Sequence, residues 1–236
     1  MVRRHFYIPL AIGLLVSFGA TAQLLPTYGE ERAGLSAFTF LKLPIDPAST
    51  GVGGASLAMT DHSFGALINP ALISGGNQQG VFSANRALGG GINHDFVALT
   101  KARENGQHIA LTLNSLSTGS ILERTVWQPE GTGATTSAAL TCVGLGVSQA
   151  FSEYFHTGVQ LKYGLEQLGV YRAHNVYLDL GFLYKLDIAD LQFAAALTNF
   201  GPNTPLSNMP VGQESALAAT PQMFSMGIQW TAWKKG

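Results

Sequence analysis

Four polar residues set into two runs with one apolar face each are those whose types and spacing bear on chemistry. Gln160 and Lys162 fall within residues 158–166, and Asp179 and Lys185 within residues 176–186. In an extended chain, alternate residues share a face. Gln160 and Lys162 then oppose Val159, Leu161, Tyr163 and Leu165, while Asp179 and Lys185 oppose Val176, Leu178, Leu180, Phe182 and Tyr184. A carboxylate, two ammonium groups and an amide placed this way either line a lumen as a polar network or ligand site, or simply wet an interior. The sequence leaves both readings open.

Recognisable catalytic patterns are lacking. No H-E-x-x-H, G-x-S-x-G, C-x-x-C or P-loop occurs, so the spacings that hold a zinc ion, a nucleophile or a nucleotide phosphate are missing. The glycine cluster Gly51-Val52-Gly53-Gly54 has no βαβ setting, which a dinucleotide loop requires. His5, His62, His94, His108, His156 and His174 are scattered, mostly beside expected turns, and read as solvated loop histidines. A serine paired with a histidine at a barrel rim would suit acyl hydrolysis, yet nothing in the spacing selects such a pair. The expectation is a protein that is not an enzyme, with no catalytic residue, metal site or cofactor.

These residues need elements to position them, and composition narrows which. Charged residues make up 11% of the chain and the formal net charge is -1, against ~25% charged in an ordinary soluble domain. There are 28 glycines and no long apolar run after the N-terminus. This balance suits a transmembrane β-barrel, whose lipid-facing apolar residues are diluted by polar ones facing the lumen. No basic cluster is present to neutralise phosphates, which argues against nucleic acid. The N-terminus reads as a secretory signal over residues 1–22: Arg3 and Arg4, an apolar stretch 7–18, then Ala20-Thr21-Ala22, with cleavage between Ala22 and Gln23. Cys142 is the sole cysteine, so no internal disulfide forms.

Period-two alternation marks strands at residues 158–166, 176–186 and 224–230, and less strongly at 81–86, 96–101, 108–116, 139–151 and 191–199. The connections 102–107, 152–156 and 187–190 are short. Those at 117–138 and 200–221 are long, while 88–94 and 167–174 are intermediate. Short turns on one side and long loops on the other are the habit of outer-membrane barrels. Tyr163, Tyr184, Trp230 and Trp233 stand where interfacial aromatic girdles would lie. The fold expected is all-β, an antiparallel transmembrane β-barrel of about eight strands over residues 80–236, preceded by a plug-like segment over residues 23–79 that contains short helix.

Within that segment Asp61 is placed to cap a turn of helix over residues 62–68, because a carboxylate accepts from free backbone N–H groups. Pro70 disfavours helix at Asn69 and stops the run. The glycines suggest close backbone packing inside or beneath the barrel. In order, Phe40-Leu41-Lys42-Leu43-Pro44, Gly53-Gly54-Ala55, Asp61 and Asn69-Pro70-Ala71 resemble the N-terminal signature of the PorV/PorQ family of outer-membrane proteins, related to the fatty-acid transporter FadL. Residues 159–163 (VQLKY), Asp179-Leu180-Gly181 with Tyr184, and Thr198-Asn199-Phe200-Gly201 also resemble strand signatures of that family. The likeness rests on the order of elements across most of the mature chain. Each short motif is weak alone.

The chain departs from the family in lacking an arginine before the glycine cluster, in having Asp61-His62 where paired acids are usual, and in stopping at about eight strands. It is therefore either a truncated member or a small barrel, and eight strands close around an interior just filled by side chains. The resemblance implies a Gram-negative outer-membrane protein that serves type IX secretion as an accessory or shuttle. Its partners would be outer-membrane lipid, a translocon barrel, a surface sortase and the C-terminal domain of the cargo. Two further readings are a FadL-like passive transporter of hydrophobic molecules and a secreted soluble β-protein that binds a surface partner.

Overall fold

The computed structural model describes residues 36–60, 64–76, 79–188, 190–205 and 217–231. The leader with Ala22 and Gln23, Asp61, His62 and Trp233 lie outside the described residues. The strands are β1 (Gly80–Gly89), β2 (Ile92–Ala102), β3 (Gln107–Ser117), β4 (Ile121–Leu122), β5 (Thr135–Thr136), β6 (Ala138–Ala150), β7 (Phe155–Leu168), β8 (Tyr171–Lys185), β9 (Gln192–Phe200), β10 (Thr204–Pro205), β11 (Leu217–Ala218) and β12 (Met223–Gln229). Eight of them form one antiparallel sheet in the order β1-β2-β3-β6-β7-β8-β9-β12. The pairs β4–β5 and β10–β11 are small ladders within the two long connections.

Two connections expected to be of intermediate length are tight turns. β1 passes to β2 through Gly90-Gly91, and β7 to β8 through Gly169-Val170. Gly89, Gly90, Gly91 and Gly169 all have positive φ, the backbone that two-residue hairpins need to match strand twist. The strands therefore run on into residues that the sequence pattern places in loops. At the opposite end the turns are short, and two of them are tied together. The Lys185 N–H donates to the Tyr154 carbonyl at 2.7 Å, and the Tyr154 hydroxyl donates to Asp187 at 3.0 Å.

The faces of the sheet are inverted relative to a protein with an apolar core. On β7, His156, Gly158, Gln160 and Gly164 are buried, while Val159, Leu161, Tyr163 and Leu165 are exposed. Leu161 is 56% exposed and Leu180 of β8 42%, whereas Asp179 between its neighbours is only 1% exposed. β6 repeats this, with Cys142, Gly144, Gly146 and Ser148 turned in and Val143, Leu145 and Val147 turned out.

The inner face is covered by the segment that precedes β1. Ser36 bridges to Ala219, and a 3-10 turn (Thr39–Lys42) and helices Pro47–Gly51, Gly65–Ile68 and Leu72–Gly75 follow. Asp46 caps the first helix by accepting from Ser49 N at 2.7 Å, with Pro47 at its first position, where a missing N–H costs nothing. Asp61, the cap expected from the sequence, lies outside the described residues; the cap residue of the helix at Gly65–Ile68 is Phe64, without a side-chain bond. Pro70 does end it, with Asn69 extended at φ -151 and ψ 114. Apolar side chains of the segment form clusters across the sheet. Phe38 and Phe40 pack with Leu140 and Tyr177, Ile45 with Phe96 and Ala98, and Leu57 and Leu72 with Leu183 and Ala194.

Glycine serves two ends here, and one of them reverses the sequence expectation. Gly53 and Gly54 are exposed, at φ +65 and +86, with open space where a Cβ would lie. They make a left-handed turn rather than a close contact. The close contacts belong to strand glycines. A Cβ at Gly158 would overlap the Pro70 backbone, one at Gly181 the Asn69 side chain, and one at Gly164 would lie 2.7 Å from the Phe38 ring.

Among the described residues β1 pairs only with β2 and β12 only with β9. No ladder joins β1 to β12, although Arg86 of β1 and Met223 and Ser225 of β12 border one common cavity. The sheet thus curls around the segment without a hydrogen-bonded seam. Gly158→Val should unseat the segment, since the obstacle is backbone and cannot rotate away. Limited proteolysis should then cut within residues 64–76, while Gly53→Val leaves that region protected.

Candidate functional site

Gln160, Lys162, Asp179 and Lys185 all lie on the inner face, and the structure divides them into three local arrangements. Lys162 Nζ and Asp179 form an ion pair at 2.6 Å, with the aspartate fully enclosed. Lys162 also donates to Asn199 Oδ1 at 2.5 Å, and Asn199 N donates to Asp179 Oδ1 at 2.7 Å. This triangle exists because β9 carries a bulge. Leu178 faces Phe200 and Leu180 faces Leu197, so Thr198 and Asn199 together oppose Asp179. Asn199 takes φ +57, a conformation asparagine tolerates better than most residues. Bulges re-aim side chains in this manner.

Gln160 is separate from that triangle. Its Nε2 donates to Thr112 Oγ1 at 2.8 Å across β6, where Gly144 leaves the path clear. Lys185, at the short-turn end, donates to the Gly75 carbonyl at 2.7 Å and so neutralises the C-terminal end of a helix of the covering segment.

Asn69, Pro70 and Ala71 mark where the covering segment meets the middle of the sheet. Asn69 is fully buried. Its Nδ2 donates to the carbonyls of Leu57 and Phe182, each at 3.3 Å, and its Oδ1 accepts from Ala71 N at 3.0 Å. One amide side chain therefore ties two parts of the segment to β8. At the other end, Phe38 sits at φ 55 with its N–H donating to Glu166 at 2.7 Å and its ring edge-on to Tyr177.

Histidines expected in solvated loops prove to be part of the inner face. His94, His108 and His156 are buried, because strands β2, β3 and β7 extend through residues first assigned to turns or their borders. His94 Nε2 donates to Asn114 Oδ1 at 2.7 Å. His156 Nδ1 lies 3.2 Å from Ser74 Oγ, which is 2.6 Å from Ser148 Oγ. All three are buried and none lines the interior cavity. The cluster joins the last helix of the segment to β6 and β7. His174 alone of the described histidines is exposed.

Between residues 41–68 and the inner face lies a cavity of about 580 Å3. Lys162, Gln160, Asn114 and Asn199 border it from the sheet, and Leu57, Leu67 and Ile68 from the segment. Among the described residues no group of three His, Cys, Asp or Glu side chains is arranged to hold a metal ion. Asn114 and Glu166 are site residues that the sequence did not single out, and Asn199 stood there only within the Thr198-Asn199-Phe200-Gly201 likeness. Asn199 carried one signal, its position at a strand end before Phe200-Gly201.

No protein-family model and no curated protein matches this chain.

Because Asp179 is wholly enclosed, its loss leaves Lys162 without a counter-ion. Asp179→Asn should destabilise the fold by about 3–5 kcal/mol, the usual result of breaking a buried pair. Combining it with Lys162→Met should recover part of that loss. Chemical unfolding of the four proteins provides the double-mutant cycle, and strict additivity would show the pair to be uncoupled.

Proposed function

We propose that this protein is an outer-membrane β-barrel protein of the PorV/PorQ type, acting in type IX secretion as an accessory or shuttle for cargo. The observation that carries the membrane reading is the inversion of the sheet. Charged and polar side chains are turned in against the covering segment, and rows of Val, Leu, Phe and Tyr are turned out. Water-soluble proteins rarely expose apolar patches beyond a few hundred Å2. A bilayer removes that penalty, and β2, β3, β6, β7, β8 and β9, with 9 to 15 residues each, meet the ~9–11 residues a tilted strand needs to cross. The same observation counts against the soluble β-protein.

A second feature supports an interface at the short-turn end. Phe151, Phe155 and Tyr184 form an exposed chain of rings with centroids 6.0 and 6.5 Å apart, as an aromatic girdle would. Tyr163 and Trp230 also face outward. The secretion role rests on the resemblance of the Phe40–Pro44, Gly53-Gly54-Ala55 and Asn69-Pro70-Ala71 motifs, whose last member holds the segment in place. In this reading the signal peptide sends the chain to the Gram-negative outer membrane. The long connections face a translocon barrel, a surface sortase or the cargo's C-terminal domain. Passive transport is the second reading, and the apolar part of the cavity lining, Leu57, Leu67 and Ile68, favours it.

The mature protein should fractionate with outer membranes and resist extraction by carbonate. Recovery of folded monomer from the soluble periplasm would overturn the membrane reading. Leu180→Arg on the outer face should cost ~2–4 kcal/mol if that position lies near the bilayer midplane, read as a lowered yield of folded barrel in lipid vesicles but not as a change in the inner-face ion pair. Deleting the gene should abolish surface display of type IX cargo. Normal display together with lost uptake of an apolar solute would select the transporter instead.

A further inference from the structure

We infer that the interior cavity binds a small uncharged solute that carries hydroxyl or amide groups. The inference concerns the cavity alone and does not depend on the secretion role.

Three adjacent strands make its floor. Thr112 and Asn114 rise from β3, and Gln160 and Lys162 from β7, on either side of the small residues Cys142 and Gly144 of β6. A Cβ at Gly144 would lie 2.5 Å from both Gln160 Nε2 and Thr112 Oγ1. The bare position is thus what permits their hydrogen bond, and because the Thr112 hydroxyl donates to the Gly144 carbonyl at 3.4 Å it accepts from the Gln160 Nε2 end of the amide. Gln160 Oε1 is then left with no partner among the described residues, and so is Asn114 Nδ2, whose own Oδ1 is taken by His94. Gln160 is 2% exposed and Asn114 4%, and both line the cavity.

Buried polar atoms without partners are uncommon and call for an explanation. Here one is an acceptor and the other a donor, on one floor. A hydroxyl or amide group both donates and accepts, and so satisfies the two together. The Lys162 charge is already met by Asp179, which removes the main attraction for an anion at the floor. An apolar ligand would cover both orphan atoms without pairing either. The roof of Leu57, Leu67 and Ile68 accepts a carbon skeleton, and a cavity of about 580 Å3 falls within the range of small-molecule sites, roughly 300–1,000 Å3.

The test is equilibrium binding to the full chain folded in detergent, with D-glucose and N-acetyl-D-glucosamine as probes and benzene and inorganic phosphate as comparators. The expected result is saturable binding of at least one sugar, weakened about tenfold or more, the equivalent of one hydrogen bond to the ligand, in Gln160→Met and in Asn114→Asp. The second change keeps the acceptor toward His94 and replaces the orphan donor by a carboxylate oxygen, which cannot donate when ionised. Should either variant fail to fold, Ile68→Trp, which fills the cavity from the roof, must abolish binding. The proposal is overturned if neither sugar binds saturably, if the variants bind as well as the parent, or if benzene or phosphate binds the cavity more tightly. Ordered water filling the floor in the presence of both sugars would overturn it as well.

Discussion

The seating of Asn69-Pro70 on two glycines that face each other across β7 and β8 is the contact on which the rest of the interior depends. Gly158 and Gly181 are register partners; Gly158 lacks the side chain that would exclude the Pro70 backbone, and Gly181 the one that would exclude the Asn69 side chain. Once that corner is in place, the Asn69 amide can reach Leu57 and Phe182 together. The helices on either side are then held at fixed distances from the sheet, and the apolar side chains of residues 37–73 find shelter from solvent. Removing a Cβ is a small chemical change. Its effect is large because backbone meeting backbone has no rotamer by which to yield.

A polar inner face brings a second constraint. Each buried amide, hydroxyl or charge costs free energy unless it is paired, and the covering segment alone does not supply enough partners. The sheet solves part of this by bending its own chain. The bulge at Asn199 gives the Lys162–Asp179 pair a third member, and the gap at Gly144 lets Gln160 reach Thr112. Two of the polar atoms that remain unpaired among the described residues, Gln160 Oε1 and Asn114 Nδ2, belong to residues that border the cavity beside the small residues of β6.

The outward face imposes the opposite condition. Its aliphatic and aromatic rows are unfavourable in water by ~25 cal/mol for each Å2, and in the proposed lipid setting that term vanishes. The same setting makes the free edges of β1 and β12 expensive, because hydrocarbon offers backbone groups no partner. The curl of the sheet brings both edges to one cavity, and among the described residues it does not pair them.

Much of this architecture was legible in the sequence. Alternation located all eight strands of the sheet and separated Leu161 and Leu180 from Lys162 and Asp179, because a period of two is a property of the extended backbone alone. Pro70 ended its helix for an equally local reason. What the sequence left open was whatever depends on which atoms meet. Glycine has two uses, freedom of φ and absence of a Cβ, and a string of letters does not distinguish them: Gly53 and Gly54 turned out to need the first, Gly158 and Gly181 the second. Asp46 caps a helix that was not anticipated, though Asp-Pro with a serine to follow was there to be read. The bulge at Asn199, the burial of His94, His108 and His156, and the convergence of Gln160 with Asn114 arise from register between strands far apart in the chain. Local periodicity fixes which residues share a face. Only the assembled sheet decides which face is enclosed and which side chains converge within it, because that choice is set by contacts with the covering segment and not by any residue's neighbours in sequence.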